Sequence, residues 1–310
     1  MTCYVLLAGG LGNQIFQVAA ARKTNSEKIV FLDLLNNERK SFNGYPEIFN
    51  LKLGSRLELV RPTRYHLILR RYFLWLIGST SKPDSLRFLL ANSKLIKDIS
   101  SLIVWMTTGI RTKVLLENRQ LPHNTFVNSK HPYFLIGYFQ SYEVSTHLET
   151  ELDSLVPSKL SARLIAQASF LESEKAVGMH VRRGDYVGHP TFGLLSNDYF
   201  KNVLLSIGGI DRPIIIFSDS TVVVSDFLPE PMIHLGQVCP DNFSASEVLY
   251  LMSKCSDLIL SNSSLSWWAG FIAQTRGSNV VAPSPWFKKE IQSADFHVPN
   301  WRLSKSNFLP

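Results

Sequence analysis

Residues 176–187 read AVGMHVRRGDYV. The apolar run 176–181 is short enough for a buried strand, and it delivers His180, Arg182, Arg183 and Asp185 to a glycine-containing loop at its carboxyl end. In open α/β sheets ligands bind outside the carboxyl ends of the strands, so this loop is the place to look for chemistry. Two adjacent arginines suit a multiply charged phosphate ligand, because each guanidinium forks onto oxygens and never loses its charge. The plainer alternative is an Arg/Asp pair that closes a tight surface turn.

The rest of the second half repeats the same pattern. Strands are expected at 176–181, 213–218, 232–235, 257–261 and 279–282, and helices at 160–172, 197–206, 221–227, 245–255 and 265–276. Strands that alternate with helices imply a doubly wound parallel sheet. Ser244 and Glu247 form an S-x-x-E capping box at one helix start, and Gly277 lies just past another helix end. Two further strands end in polar clusters. FSDS (217–220) carries Asp219, which can accept from a ribose or sugar hydroxyl or cap the next helix. SNSSLSWW (261–268) opens a helix with Ser263, Ser264 and Ser266, where hydroxyls, backbone N–H groups and the positive end of the dipole suit a phosphate. The same serines also suit an ordinary cap, and Trp267 and Trp268 read as core.

The first half opens on an apolar strand at 3–8, the glycine turn GGLGNQ (9–14) and a helical run to Arg22. Neither GxGxxG nor a GK[ST] P-loop is present; Gly12 and Asn13 lie in the turn, Asn13 with helix capping as its simplest role. Strands are expected at 29–34 and 133–139. The stretch 64–76 places Arg64, Arg70 and Arg71 among large apolar residues, as a membrane-surface helix or a helix packed on its own domain would. Pro157, after a run of acidic residues, marks a boundary that divides the chain into domains 1–156 and 157–310.

The chain has 310 residues, 45% hydrophobic and 18% charged, enough for two domains with full cores. A net charge of +7 favours anionic partners, but it is scattered and selects no one class of them. Three widely spaced cysteines, Cys3, Cys239 and Cys255, support neither a disulfide framework nor a zinc site and fit a reducing cytoplasm. The N-terminal apolar run is short and lacks the flanks of a signal peptide, and no stretch approaches a spanning helix. With no Asp-x-Asp pair and no His/Cys cluster, no metal is expected, and cationic side chains would have to neutralise a diphosphate.

GGLGNQIFQVAAAR (9–22), YFLIGYFQSY (133–142), HVRRGDYV (180–187), FSD (217–219), LMSKCSDLILSNSSLSWWAGF (251–271) and APSPWF (282–287) occur in an order, and over a span of nearly the whole chain, that resembles the bacterial α-1,2-fucosyltransferases of glycosyltransferase family 11. The resemblance implies an α/β, GT-B type enzyme: two Rossmann-like domains facing a cleft, the acceptor side in 1–156 and the GDP-fucose side in 157–310. It implies metal-independent transfer of L-fucose from GDP-β-L-fucose, with inversion, usually to O2 of a galactose in an oligosaccharide or lipid-linked glycan. No cofactor and no nucleic acid are expected, and peripheral contact with the inner membrane face is a natural expectation.

Carried onto this sequence, the resemblance has Arg182 bind the diphosphate and help expel GDP, with Arg183 and Asp185 shaping or completing the site. His180 would lie near the nucleoside, Gly12 and Asn13 would approach the fucose and phosphates, and Ser263, Ser264 and Ser266 would support the phosphates. Glu247 would read guanine. Asp185 is the first candidate for the catalytic base and Glu143 the second. At Ser220 and Val248 the sequence departs from the family's pattern, which often has acidic residues there.

Overall fold

The computed structural model describes residues 2–33, 46–60, 72, 93–108, 113–116, 132–189, 191–208, 211–289 and 296–309. Arg64, Arg70 and Arg71 lie outside them. The chain divides into two compact units, Met1–Ser154 and Leu155–Pro310, against the expected 1–156 and 157–310.

The first unit is built on a five-stranded sheet of β1 (Thr2–Leu7), β2 (Lys28–Asp33), β3 (Leu57–Val60), β4 (Lys113–Leu116) and β5 (Tyr133–Ile136), in the order β3-β2-β1-β5-β4 and parallel throughout. The strand order reverses between β1 and β5, which makes their carboxyl ends a switch point. Helix α1 (Leu11–Lys23) follows β1 and is buried on nearly every side, from Leu11 through Ala21. Gly12 and the run Ala19–Ala21 keep it thin enough to lie against the strands. Helix α2 (Lys94–Thr108) puts Ile96 and Ile103 against Leu6, Leu32 and Phe134, and a single-turn helix α3 (Tyr142–Ser145) follows β5.

The second unit contains α4 (Ala162–Ser173), β6 (Val177–Val181), α5 (Asn197–Ile207), β7 (Ile214–Ser218), α6 (Val224–Phe227), β8 (Gly236–Val238), α7 (Ala245–Met252), β9 (Asp257–Ile259), α8 (Ser264–Thr275), β10 (Asn279–Ser284) and β11 (Arg302–Lys305). Its sheet runs β11-β10-β9-β6-β7-β8, all neighbours parallel. Counted from β6 this is the 3-2-1-4-5-6 order of dinucleotide-binding folds, with the switch point between β6 and β9. All five residues of β6 are buried, the burial that a central parallel strand requires. Trp267 and Trp268 of α8 are wholly buried, and the Trp267 indole N–H donates to the Phe296 carbonyl at 2.8 Å.

In the first unit β3 and β4 are strands that were not expected, and in the second unit the expected elements stand with two differences. Residues 232–235 belong to a 3-10 helix, Glu230–Leu235, and the strand comes one step later at β8. Pro229 and Pro231 set this turn, since neither has an N–H to give a ladder. Strand β11 has no apolar run to announce it; it is an edge strand with Arg302, Leu303 and Lys305 exposed.

Candidate active site

At the second unit's switch point, the ends of β6 and β9 are tied together by His180, whose Nδ1 lies 2.6 Å from Ser261 Oγ. His180 is 3% exposed, and burial, reinforced by the Arg182 charge, pulls its pKa down to about 3, so the ring is neutral. It is a fixed neutral link between two strands, and Tyr199 on α5 braces the same place with its hydroxyl donating to the Leu260 carbonyl at 3.1 Å.

Beyond β6 the two arginines part company. Arg182 is held between two carboxylates, with Nη2 2.6 Å from Asp185 Oδ1 and Nη1 2.8 Å from Asp219 Oδ2, while its guanidinium stands 5.3 Å from the Tyr186 ring centre. Its Nε–H is buried and has no hydrogen-bond partner. Arg183 turns inward. Its Nη1 donates to the Leu195 carbonyl at 2.7 Å, its Nη2 to Asn197 Oδ1, and its guanidinium lies 5.1 Å from the Phe227 ring centre. Burial lowers its pKa, with Asp219 and Asp226 opposing the shift. Arg183 is therefore a brace between the loop and α5, and the cationic pair expected from the sequence presents one guanidinium.

Asp219 is likewise occupied: Oδ1 accepts the Arg183 backbone N–H at 2.8 Å and Oδ2 pairs with Arg182. Its carboxylate anchors the loop, where the sequence suggested a sugar hydroxyl or a helix cap. The neighbouring Ser220 Oγ accepts the Gly184 N–H at 3.3 Å, so this departure from the family's acidic pattern serves the same loop. Gly184 has φ +25°, and a Cβ there would stand 2.3 Å from Asp219 Oδ2. Only glycine lets the two strand ends come this close.

At the start of α8, Ser263 is the N-cap, its Oγ accepting the Leu265 N–H at 3.3 Å. Ser266 is fully buried, and its hydroxyl lies 3.0 Å from the Ser261 and Ser263 carbonyls. It is therefore directed inward, away from a ligand, because a hydroxyl carries one proton and these carbonyls take it. Ser264 is the partly exposed serine of the three. Asn262, which sequence reasoning passed over, is 2% exposed and its side-chain amide donates to the Phe192 and Gly193 carbonyls at 2.9 and 3.1 Å, while its backbone carbonyl accepts from Tyr186 Oη at 3.1 Å. Buried amides with every bond directed at backbone are holding a loop in shape.

Glu247 lies in the first turn of α7, beyond β8, on the carboxyl side of the sheet. Its Oε2 accepts from the Ser244 N–H at 2.8 Å and the Ser244 hydroxyl at 2.9 Å, completing the capping box. Of its carboxylate, Oε1 is the oxygen the cap leaves for another donor.

In the first unit, Gly10 rather than Asn13 is the N-cap of α1. Asn13 lies inside the first turn, and its Oδ1 accepts from Gln140 Nε2 at 2.6 Å, which joins the loop after β1 to the loop after β5. Two buried glutamines fix this edge. Gln14 Nε2 donates to the Gly9 carbonyl at 3.0 Å while its Oε1 accepts the Ile48 N–H at 3.0 Å. Gln17 Nε2 donates to the Leu6 and Gly137 carbonyls at 3.0 and 2.7 Å while its Oε1 accepts the Ala8 N–H at 3.3 Å. The signal for them was present as two glutamines one turn apart on an otherwise apolar helix. Glu143 is elsewhere: it pairs with Lys23 at the far end of α1, away from the strands' carboxyl edge.

Among the described residues no group of His, Cys, Asp and Glu is placed to hold a metal ion, the three cysteines are free and buried, and no helix is long and apolar enough to cross a membrane.

The profile of glycosyl transferase family 11 matches residues 2–304. The O-antigen biosynthesis glycosyltransferase WbnK of Escherichia coli is 27% identical over 92% of this chain and 94% of its own length. An α-1,2-colitosyltransferase of Escherichia coli is 23% identical over 96% and 98%. Among solved structures, the E. coli ADP-heptose LPS heptosyltransferase II aligns over 98% of this chain and 90% of its own, at 12% identity and a TM-score of 0.48.

Proposed function

The chain belongs to glycosyl transferase family 11, and from that premise we propose that it transfers L-fucose from GDP-β-L-fucose to O2 of a galactose during O-antigen synthesis. The observation that carries this reading is the convergence, at the switch point between β6 and β9, of the Arg182 clamp and the capped start of α8. Glycosyl transfer builds negative charge on the leaving diphosphate, and a preorganised guanidinium beside a helix N-terminus is suited to receive it. Arg182 binds the diphosphate and Ser264 with the α8 backbone supports it. Glu247 Oε1 accepts from the guanine edge. Inversion follows from direct attack of the acceptor hydroxyl on the anomeric carbon, with the hydroxyl proton passing to a carboxylate. Asp185 is the candidate base, with its Oδ1 shared with Arg182. Charge neutralisation by side chains makes the reaction independent of metal.

A second reading comes from the relative named for α-1,2-colitosyl transfer: the linkage is kept while the transferred sugar differs. One experiment separates the two. GDP release is followed from GDP-fucose and from other GDP-sugars, with and without galactose-terminated oligosaccharides, in EDTA. Galactoside-dependent release from GDP-fucose that survives chelation supports the first reading, and release from another GDP-sugar alone supports the second. No release, together with no thermal stabilisation by GDP, overturns both.

A further inference from the structure

Asn13 is partly exposed at the carboxyl edge of the first sheet, and its amide does not stand alone. An amide has one accepting oxygen and one donating NH2. With Oδ1 engaged by Gln140 Nε2 at 2.6 Å, the NH2 is the group Asn13 has to offer.

The surroundings are shaped around that arrangement. Gly9 has φ +74°, and a Cβ there would come within 2.3 Å of Asn13 Nδ2, so the amide packs over the one residue type that makes room for it. Gln140 follows Phe139, a non-glycine residue at φ +55° whose ring is buried. That left-handed backbone is strained for a residue with a Cβ, and such strain persists where the surrounding structure enforces it. Here the enforcement is visible. Gln17 spends its amide on the Gly137 carbonyl two residues earlier, and Ser141 caps α3 immediately afterwards by accepting the Val144 N–H at 3.1 Å.

We propose that Gln140 is a positioning residue that sets the polarity of the Asn13 amide, so that the first unit presents an N–H donor to an oxygen of the sugar substrate. The role in catalysis rests on the reading above; the polarity does not. The ligand chemistry is an accepting oxygen, from either a donor phosphate or a sugar hydroxyl.

Gln140→Glu and Gln140→Met separate this role from a structural one. The glutamate keeps the shape but can only accept, so the Asn13 amide must turn its NH2 inward and its oxygen outward. The methionine keeps the bulk and leaves the amide undirected. The expected order of kcat/KM is wild type, then Gln140→Met, then Gln140→Glu at least tenfold below Met, with thermal midpoints alike. The glutamate deficit should persist in 0.5 M NaCl, where a through-space charge effect on a phosphate is screened. A rise in KM for the nucleotide sugar assigns the oxygen to the donor, and a rise for the glycan assigns it to the acceptor. A glutamate variant as active as methionine, or one restored by salt, overturns the proposal.

Side-chain amide exchange, read by NMR in the wild-type chain and in Gln140→Glu, tests the polarity without any turnover. The Gln140 NH2 should be protected and the Asn13 NH2 should exchange freely in the wild type, and the Asn13 NH2 should become protected in the variant. The reverse pattern in the wild type overturns the proposal even if fucosyl transfer is confirmed. The expected pattern without transfer to any galactoside would leave the polarity standing and sink the functional reading.

Discussion

Arg182 Nη1 lies 2.8 Å from Asp219 Oδ2, an ion pair between the first residue past β6 and the first past β7. Asp185 closes on the same guanidinium from the other side. Two carboxylates on one arginine fix its direction, and the same arrangement sets a limit, since a diphosphate that takes up this guanidinium must share it with both.

The contrast between the two arginines is the most direct test of the site. Arg182→Ala should lower kcat by about 100-fold or more, the scale of losing one preorganised charge partner, with a small change in thermal midpoint. Arg183→Ala should do the opposite in kind: its bonds to Leu195 and Asn197 are partly buried, and their loss should cost about 1–2 kcal/mol of stability. Steady-state kinetics beside thermal unfolding of both variants reads this out.

Gly184→Ala should disable the clamp without touching a charge. The added Cβ would meet Asp219 Oδ2 at 2.3 Å on a backbone already at φ +25°. Stability should fall by about 1–3 kcal/mol, and turnover should fall with Asp219→Ala rather than remain at wild type. Wild-type turnover in the alanine variant would show that the Arg182–Asp219 geometry is not needed.

Acid should weaken the second unit through His180. The folded-state pKa, about 3, lies below the unfolded value near 6.5, so below pH 6.5 the unfolded chain binds a proton that the native chain refuses. The stability contributed by the neutral ring is complete above pH 6.5 and is lost as pH falls toward 3, at up to about 1.4 kcal/mol per pH unit. Denaturant midpoints between pH 7 and pH 4 should fall more steeply for wild type than for His180→Gln.

The serines of α8 should divide by direction. Ser266→Ala removes a buried hydroxyl that bonds two carbonyls and should cost about 1 kcal/mol of stability. Ser264→Ala should leave the unfolding midpoint in place and reduce the thermal shift produced by GDP. Equal effects of the two on GDP binding would contradict this assignment.

The element order of the second unit and the two-unit architecture were legible in the sequence because both rest on local patterns, whereas β3 and β4 of the first unit were not. Unbroken apolar runs mark central parallel strands, glycine turns mark their ends, and the Ser244–Glu247 box fixes a helix start within one turn of chain. Edge strand β11 and the displaced β8 escaped because an exposed strand needs no apolar run and because Pro229 and Pro231 alter the local backbone. The motifs that resemble the family fall at the carboxyl ends of β6, β7 and β9.

Direction was another matter. Adjacent residues past a strand end can point opposite ways, so HVRRGDY could not say that Arg182 meets two carboxylates while Arg183 turns toward α5. SNSSLS could not say that Ser266 faces inward, nor FSDS that Asp219 serves the arginines before any sugar. For Asp219 the outcome depends on a partner 36 residues away in sequence and for the Asn13–Gln140 pair on one 127 away, while for Arg183 and Ser266 the partners are 14 or fewer residues off and only their direction in space decides. The sequence by itself determined which residues reach the two sheet edges, through periodicity and turn chemistry. Only the folded chain decided which polar atoms are consumed by the protein and which are left to a substrate, because a hydrogen bond depends on distance and direction in space and not on separation along the chain.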